Sequence, residues 1–306
     1  MAGDPGDLYE VSHAAPEFDS ELVMLYYLDG FIDAGGAGRQ VAAHLLATLE
    51  HSEVARFDVD SLIDYRSRRP AMIFTKDHWE SFEAPELAVH LLRDPGGTPF
   101  LLLNGLEPDR EWERFAAAVL RLSAQLNVRL LANFHGIPMG VPHTRPLGVT
   151  GHATKPDLIE GYQPLVDRLQ VPGSATALIE LRMSEADRAA VGFAVHVPHY
   201  LAHASYPAAA VTLLSALERA TGLNLPSGEL REAAELTDAE IARQVAGSED
   251  VTEVVRSLEQ QYDAFTAEHD DLLGGQPDNM PTAEELGAQF ERFLAEQQFG
   301  GESPEA

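Results

Sequence analysis

The chain has 306 residues, a formal charge of −28 from 49 acidic and 21 basic side chains, and no cysteine. Nucleic acids and anionic membrane surfaces repel such a chain, so neither is an expected partner. The lack of cysteine excludes disulfides, thiolate nucleophiles and cysteine-ligated metal centres. With no run of about 20 apolar residues and no basic and apolar leader, we expect a cytoplasmic protein.

The first half of the chain predicts alternating strands and helices. Residues 1–20 are polar and predict a surface arm. A continuous apolar run then ends in Asp29-Gly30, which is typical of a strand buried on both faces. In chain order, the pattern predicts strand 22–28, helix 37–49, strands 54–62, 72–75 and 99–103, helix 112–126 and strand 128–134. This βα alternation predicts a mainly parallel sheet flanked by helices.

The second half predicts an insertion and a helical end. Residues 136–172 contain six prolines and five glycines, which suggests an inserted hairpin for oligomerisation. Strands are expected at 175–181 and 192–197, and a helix at 207–220. Residues 223–306 hold 20 acids and 4 bases and have lost the strand pattern. The predicted units are an arm 1–20, an α/β core 21–222, an acidic helical appendage 223–299 and a disordered tail 300–306, with capping boxes at Thr237 and Thr282.

Polar and glycine-rich patches follow the apolar runs, and parallel strands bring their carboxyl ends to one edge of a sheet. The glycines after Asp29 match neither dinucleotide nor phosphate-loop spacing. They predict either a tight turn or a cradle of backbone amides for an anion. Asp33 is either a helix cap or an acid or base in the crevice. Arg66 and Arg68 share one face of an extended segment and either pair with local acids or bind an anion.

Glu107, His143 and Arg145 each allow both a functional and a structural interpretation. Glu107 leaves a buried strand, where its ionisation is easily perturbed, but it also precedes a helix that favours acids. His143 and Arg145 supply an acid or base and an anion clamp, or an interface. We predict no metal and no cofactor. The candidate catalytic residues are Asp33, Glu107 and His143; the candidate ligand-binding residues are Gly30, Gly35, Gly36, Arg66, Arg68, Asn104, Glu107, His135 and Arg145.

The patches resemble the PAC2 family, and in particular its actinobacterial branch. The resemblance is carried by Asp29-Gly30 to Gly35-Gly36, Asp64-Tyr65-Arg66-x-Arg68-Arg69-Pro70, Gly105-x-Glu107-Pro108, residues 136–146, His203-x-x-Tyr206-Pro207 and a tail element over residues 244–263. It implies a phosphorylase/hydrolase-like α/β core, a helical lid over a ligand pocket, and a trimer made through an inserted hairpin. The family is named after proteasome assembly chaperones, and its motifs diagnose no reaction.

Two functions are therefore expected. The first is a pocket protein that takes a small anionic molecule, with hydrolysis or phosphorolysis as the reaction class to test. The alternative is a non-enzymatic assembly protein that uses the acidic tail and the insertion as contact surfaces. In either case we expect a homotrimer whose interface includes residues 141–149.

Overall fold

The computed structural model describes residues 3–13, 20–162 and 168–271. One sheet of eight strands has the order β1-β3-β6-β7-β2-β8-β10-β9, and a separate hairpin pairs β4 with β5. The strands are β1 (Tyr9–Val11), β2 (Leu22–Asp29), β3 (His51–Phe57), β4 (Met72–Thr75), β5 (His78–Phe82), β6 (Leu87–Arg93), β7 (Pro99–Leu106), β8 (Val128–Met139), β9 (Val149–Ala153) and β10 (Ala190–Pro198). The helices are α1 (Ala37–Thr48), α2 (Val59–Leu62), α3 (Trp112–Gln125), α4 (Ala175–Glu185), α5 (Pro207–Thr221), α6 (Gly228–Ala246) and α7 (Glu249–Asp271).

The sheet lies between two layers of helices, with an apolar core on each of its faces. The four central strands β7, β2, β8 and β10 are parallel, and their apolar side chains alternate between the two faces. One face packs against α1, α5 and α6 and is called the α1 side; the other packs against α3 and α4 and is called the α4 side. Each fully buried large apolar side chain contributes about 1.5–3 kcal/mol relative to an exposed one. The predicted mixed, mainly parallel α/β fold is confirmed.

The predicted strand at 175–181 is wrong, because this segment begins α4. The Ser174 side chain accepts a hydrogen bond from the Ala177 amide at 3.1 Å and caps the helix. The buried residues Ala175, Ile179 and Met183 recur every four positions, which is the helical repeat. The predicted strand 54–62 is also too long, because Asp58 caps the short helix α2. Strands β5 and β6 were not predicted.

The described part of the insertion at 136–172 contributes to the main sheet and its core. Its first residues extend β8, and β9 pairs antiparallel with β10 at the edge of the sheet. Leu147, Val149, Leu158 and Ile159 pack against the apolar core of the α1 side. Their own chain therefore buries these side chains in part, and the core contact accounts for part of their apolar character.

The elements after β10 are helical in the described residues. Helix α5 ends before Gly222, whose φ of 75° suits glycine. Thr237 does not begin a helix, since it lies inside α6 and its hydroxyl donates to the Ala233 carbonyl at 2.8 Å. Thr282 and the expected disordered tail lie outside the described residues. None of the described helices is long and apolar enough to cross a membrane.

We predict that Gly136→Ala destabilises the protein. A Cβ at Gly136 would lie 2.1 Å from the Ala34 carbonyl oxygen, so the loop after β2 would have to move. Such overpacking costs about 1–3 kcal/mol and lowers the Tm measured by calorimetry. Gly228→Ala is the control, because no atom lies within 4 Å of its added Cβ. An unchanged Tm for Gly136→Ala would contradict the close packing.

Candidate functional site

The Asp33 carboxylate organises the loop between β2 and α1. It accepts hydrogen bonds from the amides of Gly38 at 2.8 Å, Arg39 at 2.9 Å and Gly136 at 3.0 Å, and from the Tyr27 hydroxyl at 3.1 Å. Burial raises the pKa of Asp33, and these hydrogen bonds oppose the shift. Asp33 thus joins the start of α1 to β8, and its oxygens are committed to its own chain.

The two glycines of this loop adopt the left-handed conformation that glycine allows, with φ of 68° at Gly35 and 58° at Gly36. Their amides are already engaged. The Gly35 amide donates to the Ala202 carbonyl at 2.8 Å, and the Gly36 amide donates to the Asp33 carbonyl at 2.9 Å. The expected anion cradle therefore has no free donor at these two positions, and the tight-turn interpretation accounts for both glycines.

A cleft of about 400 Å³ lies beside this loop. It is lined by residues 29–36, Arg39, Gln40 and residues 202–205. The cleft sits at the carboxyl end of β2, where α1 leaves toward one side of the sheet while α3, after the neighbouring β7, lies on the other. Such a switch point is where ligands bind in open α/β sheets. The exposed Arg39 guanidinium pairs with the Asp29 carboxylate at 3.2 Å.

Glu107 lies on the α4 side of the sheet, where it meets the start of α4. Its side chain is buried, with the residue 6% exposed, and Oε1 accepts a hydrogen bond from the Ala175 amide at 2.7 Å. Gly30 packs directly against it, since a Cβ there would lie 2.5 Å from the Glu107 Cβ. Burial raises the pKa of Glu107, and the Ala175 amide and Arg68 oppose this. Glu107 therefore caps a helix and does not line the cleft.

Arg66 and Arg68 do not form a pair. The expected extended segment is a turn, because the amides of Ser67 and Arg68 both donate to the Asp64 carbonyl. Arg68 is half-buried, pairs with Asp109 at 3.1 Å and donates to the Asp29 carbonyl at 3.1 Å. Arg66 is exposed, and its side chain has no ion pair within the described parts of the chain. The prediction that both arginines share one face is wrong.

Asn104 and His135 belong to strands of the same sheet that are separated by β2, and they are not brought together. Asn104 is half-buried in β7, where it pairs with Tyr27 of β2. His135 follows Phe134 in β8; since Phe134 packs in the core of the α1 side, His135 is on the α4 side. Burial lowers the pKa of His135 to about 4, so its ring is neutral at pH 7.

His143 and Arg145 contact the carboxy-terminal helices. The His143 ring is hydrogen-bonded to the Tyr200 hydroxyl at 2.7 Å. Arg145 donates twice to the Asp263 carboxylate on α7, through Nε and Nη2, each at 2.7 Å. The Tyr262 hydroxyl adds a bond to the Pro146 carbonyl at 2.9 Å. This segment therefore fastens α7 to the body of the protein, and these two residues do not line the cleft.

The expected single site is thus divided among three places. Asp33, Gly35 and Gly36 border the cleft, Glu107 and His135 lie on the α4 side, and His143 and Arg145 hold α7. The described residues contain no group of three or more His, Asp or Glu side chains arranged to bind a metal ion. Sequence reasoning missed the polar residues on the α4 side, of which only Tyr26 and Asn133 lie within apolar strand runs. The missed residues are Tyr26, Asn133, His152 and Glu180.

We predict that Glu107→Gln changes the pH dependence of stability. The folded pKa of Glu107 lies above its ordinary value of 4.5, so its stabilising contribution is present at low pH and is lost as pH rises through the folded value. The Tm of Glu107→Gln relative to the wild type should therefore increase from pH 4 to pH 8.

Glu113→Gln provides a control of opposite sign. The Arg182 guanidinium beside Glu113 holds the pKa of that carboxyl below its usual value, so the variant should lose stability relative to the wild type as pH rises. The same pH trend in both variants would contradict the assigned burial of Glu107.

The comparisons with known proteins identify the family of the chain. A family model described as the PAC2 family matches residues 27–245. Rv2714, a Mycobacterium tuberculosis protein of unknown function, is 47% identical over 97% of this chain and 98% of that chain, with a TM-score of 0.84. A Corynebacterium glutamicum protein of unknown function is 36% identical over 84% and 97%, with a TM-score of 0.80.

A third solved structure is Rv2125, described as a proteasome-assembly chaperone homologue from Mycobacterium tuberculosis. It is 27% identical over 76% of this chain and 100% of that chain, with a TM-score of 0.70. No match is found among curated proteins. The family match spans more than half of the chain and includes the loop after β2, Glu107 and the segment that holds α7. The chain therefore belongs to the PAC2 family.

Proposed function

We propose that this chain is an assembly protein that acts by binding protein chains, its own copies among them, rather than by turning over a substrate. The observation that carries the proposal is the hairpin of β4 and β5. Its apolar side chains are between 49% and 63% exposed in the single chain. These residues are Met72, Ile73, Phe74, Trp79 and Phe82. The description of Rv2125 as a proteasome-assembly chaperone homologue agrees with a protein-binding role.

The exposed hairpin is costly for an isolated chain. A two-stranded hairpin is marginally stable on its own, and soluble monomers rarely expose a contiguous apolar patch of this kind. The Phe74 and Trp79 rings pack edge to face at 5.1 Å and form a rigid aromatic pair. Aromatic residues and methionine are enriched at the centres of protein interfaces. A protein partner that covers the hairpin would remove this exposure.

The partner we propose is a second copy, within a homotrimer. In such a trimer, the hairpin of one copy contacts a different surface of the next copy, and three repeats of this contact close a ring. The PAC2 resemblance favours three copies. Arg66 and Arg69 are exposed just before the hairpin, and Lys76 lies in its turn, whereas the chain as a whole carries a charge of −28. These cations reduce the repulsion between like-charged copies at this contact.

The arrangement of the catalytic candidates supports this choice over catalysis. The Asp33 carboxylate already accepts four hydrogen bonds, the Glu107 carboxylate caps α4, and the His143 ring is hydrogen-bonded to the Tyr200 hydroxyl. A catalytic set requires an acid, a base or a nucleophile within hydrogen-bonding reach of one another. The three candidates lie in separate places, so they do not support a common reaction centre.

The hairpin is tested by light scattering after size exclusion. The wild type is expected at about three times the 33.3 kDa mass of one chain, and the double variant Phe74→Ser, Trp79→Ser at 33.3 kDa. Leu236→Ser is the control, because Leu236 is an exposed apolar residue on α6. A monomeric wild type would refute self-association, and a trimer that survives the double substitution would refute the role of the hairpin.

A second candidate function is ligand binding in the cleft, favoured by its position at the end of β2 and by its volume of about 400 Å³. The ligand we propose is a small anionic metabolite that replaces Asp29 as the partner of Arg39. Helices α6 and α7 would act as the lid, since α7 is fastened to the segment that follows β8. This proposed site does not use Arg66, Arg68 or the amides of Gly35 and Gly36.

A thermal-shift screen with phosphorylated and carboxylated metabolites tests the cleft. A ligand at 100 times its Kd adds about 2.7 kcal/mol to the stability of the wild type. Arg39→Gln should abolish the shift, whereas Arg56→Gln should retain it, because Arg56 pairs with Glu53 on β3. No shift with any anion, or an equal shift in Arg39→Gln, would remove the cleft as an anion site.

A further inference from the structure

Polar side chains form a second constellation on the α4 side of the sheet, away from the cleft. Across the sheet, Asn133 of β8 pairs in register with Gly192 of β10, which pairs with His152 of β9. His135 lies two residues beyond Asn133 and on the same face. Gly192 of the middle strand β10 therefore separates Asn133 of β8 from His152 of β9. Elsewhere this face of the sheet buries apolar residues.

Glu180 of α4 joins the two flanking strands. Its carboxylate accepts from the Asn133 side-chain amide at 3.2 Å and from His152 Nδ1 at 2.9 Å. When Nδ1 donates to the carboxylate in the uncharged form of the ring, Nε2 is an acceptor. The ring lies over Gly192, where a Cβ would be 2.1 Å from His152 Cε1 and 2.5 Å from Nε2. The same point lies 2.7 Å from the Asn133 amide nitrogen, so Gly192 allows Nε2 to lie on the side of the Asn133 amide.

Part of this constellation anchors α4. The Asn133 amide nitrogen also donates to the Tyr26 hydroxyl at 3.1 Å, and that hydroxyl donates to the Thr176 carbonyl at 3.3 Å. These bonds fix the orientation of the Asn133 amide, since its nitrogen faces two acceptors. The anchoring of α4 accounts for the hydrogen bonds of the Tyr26 hydroxyl, the Glu180 carboxylate and the Asn133 amide nitrogen.

Two groups are not explained by anchoring. Asn133 is 2% exposed, and its Oδ1 has no hydrogen-bond partner among the described residues. The His135 ring also makes no hydrogen bond within that part of the chain, although it is partly buried and neutral at pH 7. Buried polar groups are almost always paired in folded proteins, because leaving one unpaired costs free energy. A buried, unpaired acceptor therefore lies on this face, with the neutral imidazole of His135 and the oriented ring of His152 on the same side of the sheet.

We propose that Asn133, His135 and His152 form a binding site for a small molecule that carries a primary carboxamide. The amide N–H groups would donate to Asn133 Oδ1 and His152 Nε2, and the amide carbonyl would accept from the His135 ring. Glu180 makes the surroundings negative, and no arginine or lysine takes part in the described network, so a carboxylate ligand is disfavoured. The His152 side chain is 42% exposed, which gives access from solvent.

The test compares amides with the acids of the same shape. Nicotinamide and glutamine are expected to raise the Tm of the wild type by about 2 °C at ten times their Kd, whereas nicotinate and glutamate leave it unchanged. His135→Leu should abolish the amide effect without lowering the Tm of the unliganded protein, because leucine removes an unpaired polar group.

His90→Leu is the matched control. His90 is also partly buried, has an unpaired Nδ1 and lies in β6, so the same stability change is expected with the amide effect intact. In nitrogen-15 spectra of the wild type, nicotinamide should shift the ring signals of His135 and His152 but not those of His90. No selectivity for amides, unmoved His135 signals, or a full amide effect in His135→Leu would each overturn the proposal.

Discussion

Successive side chains of a β-strand point to opposite faces of the sheet, and this alternation determines on which face each polar side chain of the sheet lies. Tyr27 and Phe134 face α1, whereas Tyr26, Asn133 and His135 face α4. Residues that are adjacent in sequence are thus separated by the full thickness of the sheet. The polar ends of β2, β7 and β8 therefore form two surfaces, and a ligand in the cleft does not meet Glu107 or His135.

Each surface uses a carboxylate of the chain itself where a helix begins. Asp33 satisfies the first amides of α1, and Glu107 satisfies the first amide of α4. A helix amino terminus attracts negative charge because its amides point outward without intrahelical partners. Since internal carboxylates already occupy both termini, these positions stabilise the fold. At the start of α1, where the sequence predicted either a tight turn or an anion cradle, the Asp33 carboxylate accepts hydrogen bonds from the helix amides.

The net charge of the chain affects contacts between copies. A net charge of −28 opposes close contact between copies, so association requires apolar burial or local cations. The hairpin of β4 and β5 supplies exposed aromatic side chains, with Arg66 and Arg69 exposed just before it. The acidic helix α7 is instead held within its own chain by Arg145. The exposed hairpin and the contacts that hold α7 therefore lie in separate parts of the molecule.

The sequence by itself determined the elements whose pattern is local. The apolar run of β2, the three- and four-residue spacing of apolar side chains in α3, the Pro207 start of α5 and the family motifs are all readable without a fold. The glycines at 35 and 36 marked a sharp turn, because few other residues adopt a positive φ. The α/β class followed from these elements, since alternating strands and helices have few ways to bury their apolar faces.

Only the tertiary structure decided which residues meet. The segment after Ser174 fits a strand over seven residues, and it becomes helical because Ala175, Ile179 and Met183 bury together against the sheet. The joining of Glu180 to both Asn133 and His152 depends on the register of three strands, which no local pattern encodes. Local patterns fix backbone conformation, whereas the neighbours of a side chain depend on strand order and on which face of the sheet it occupies.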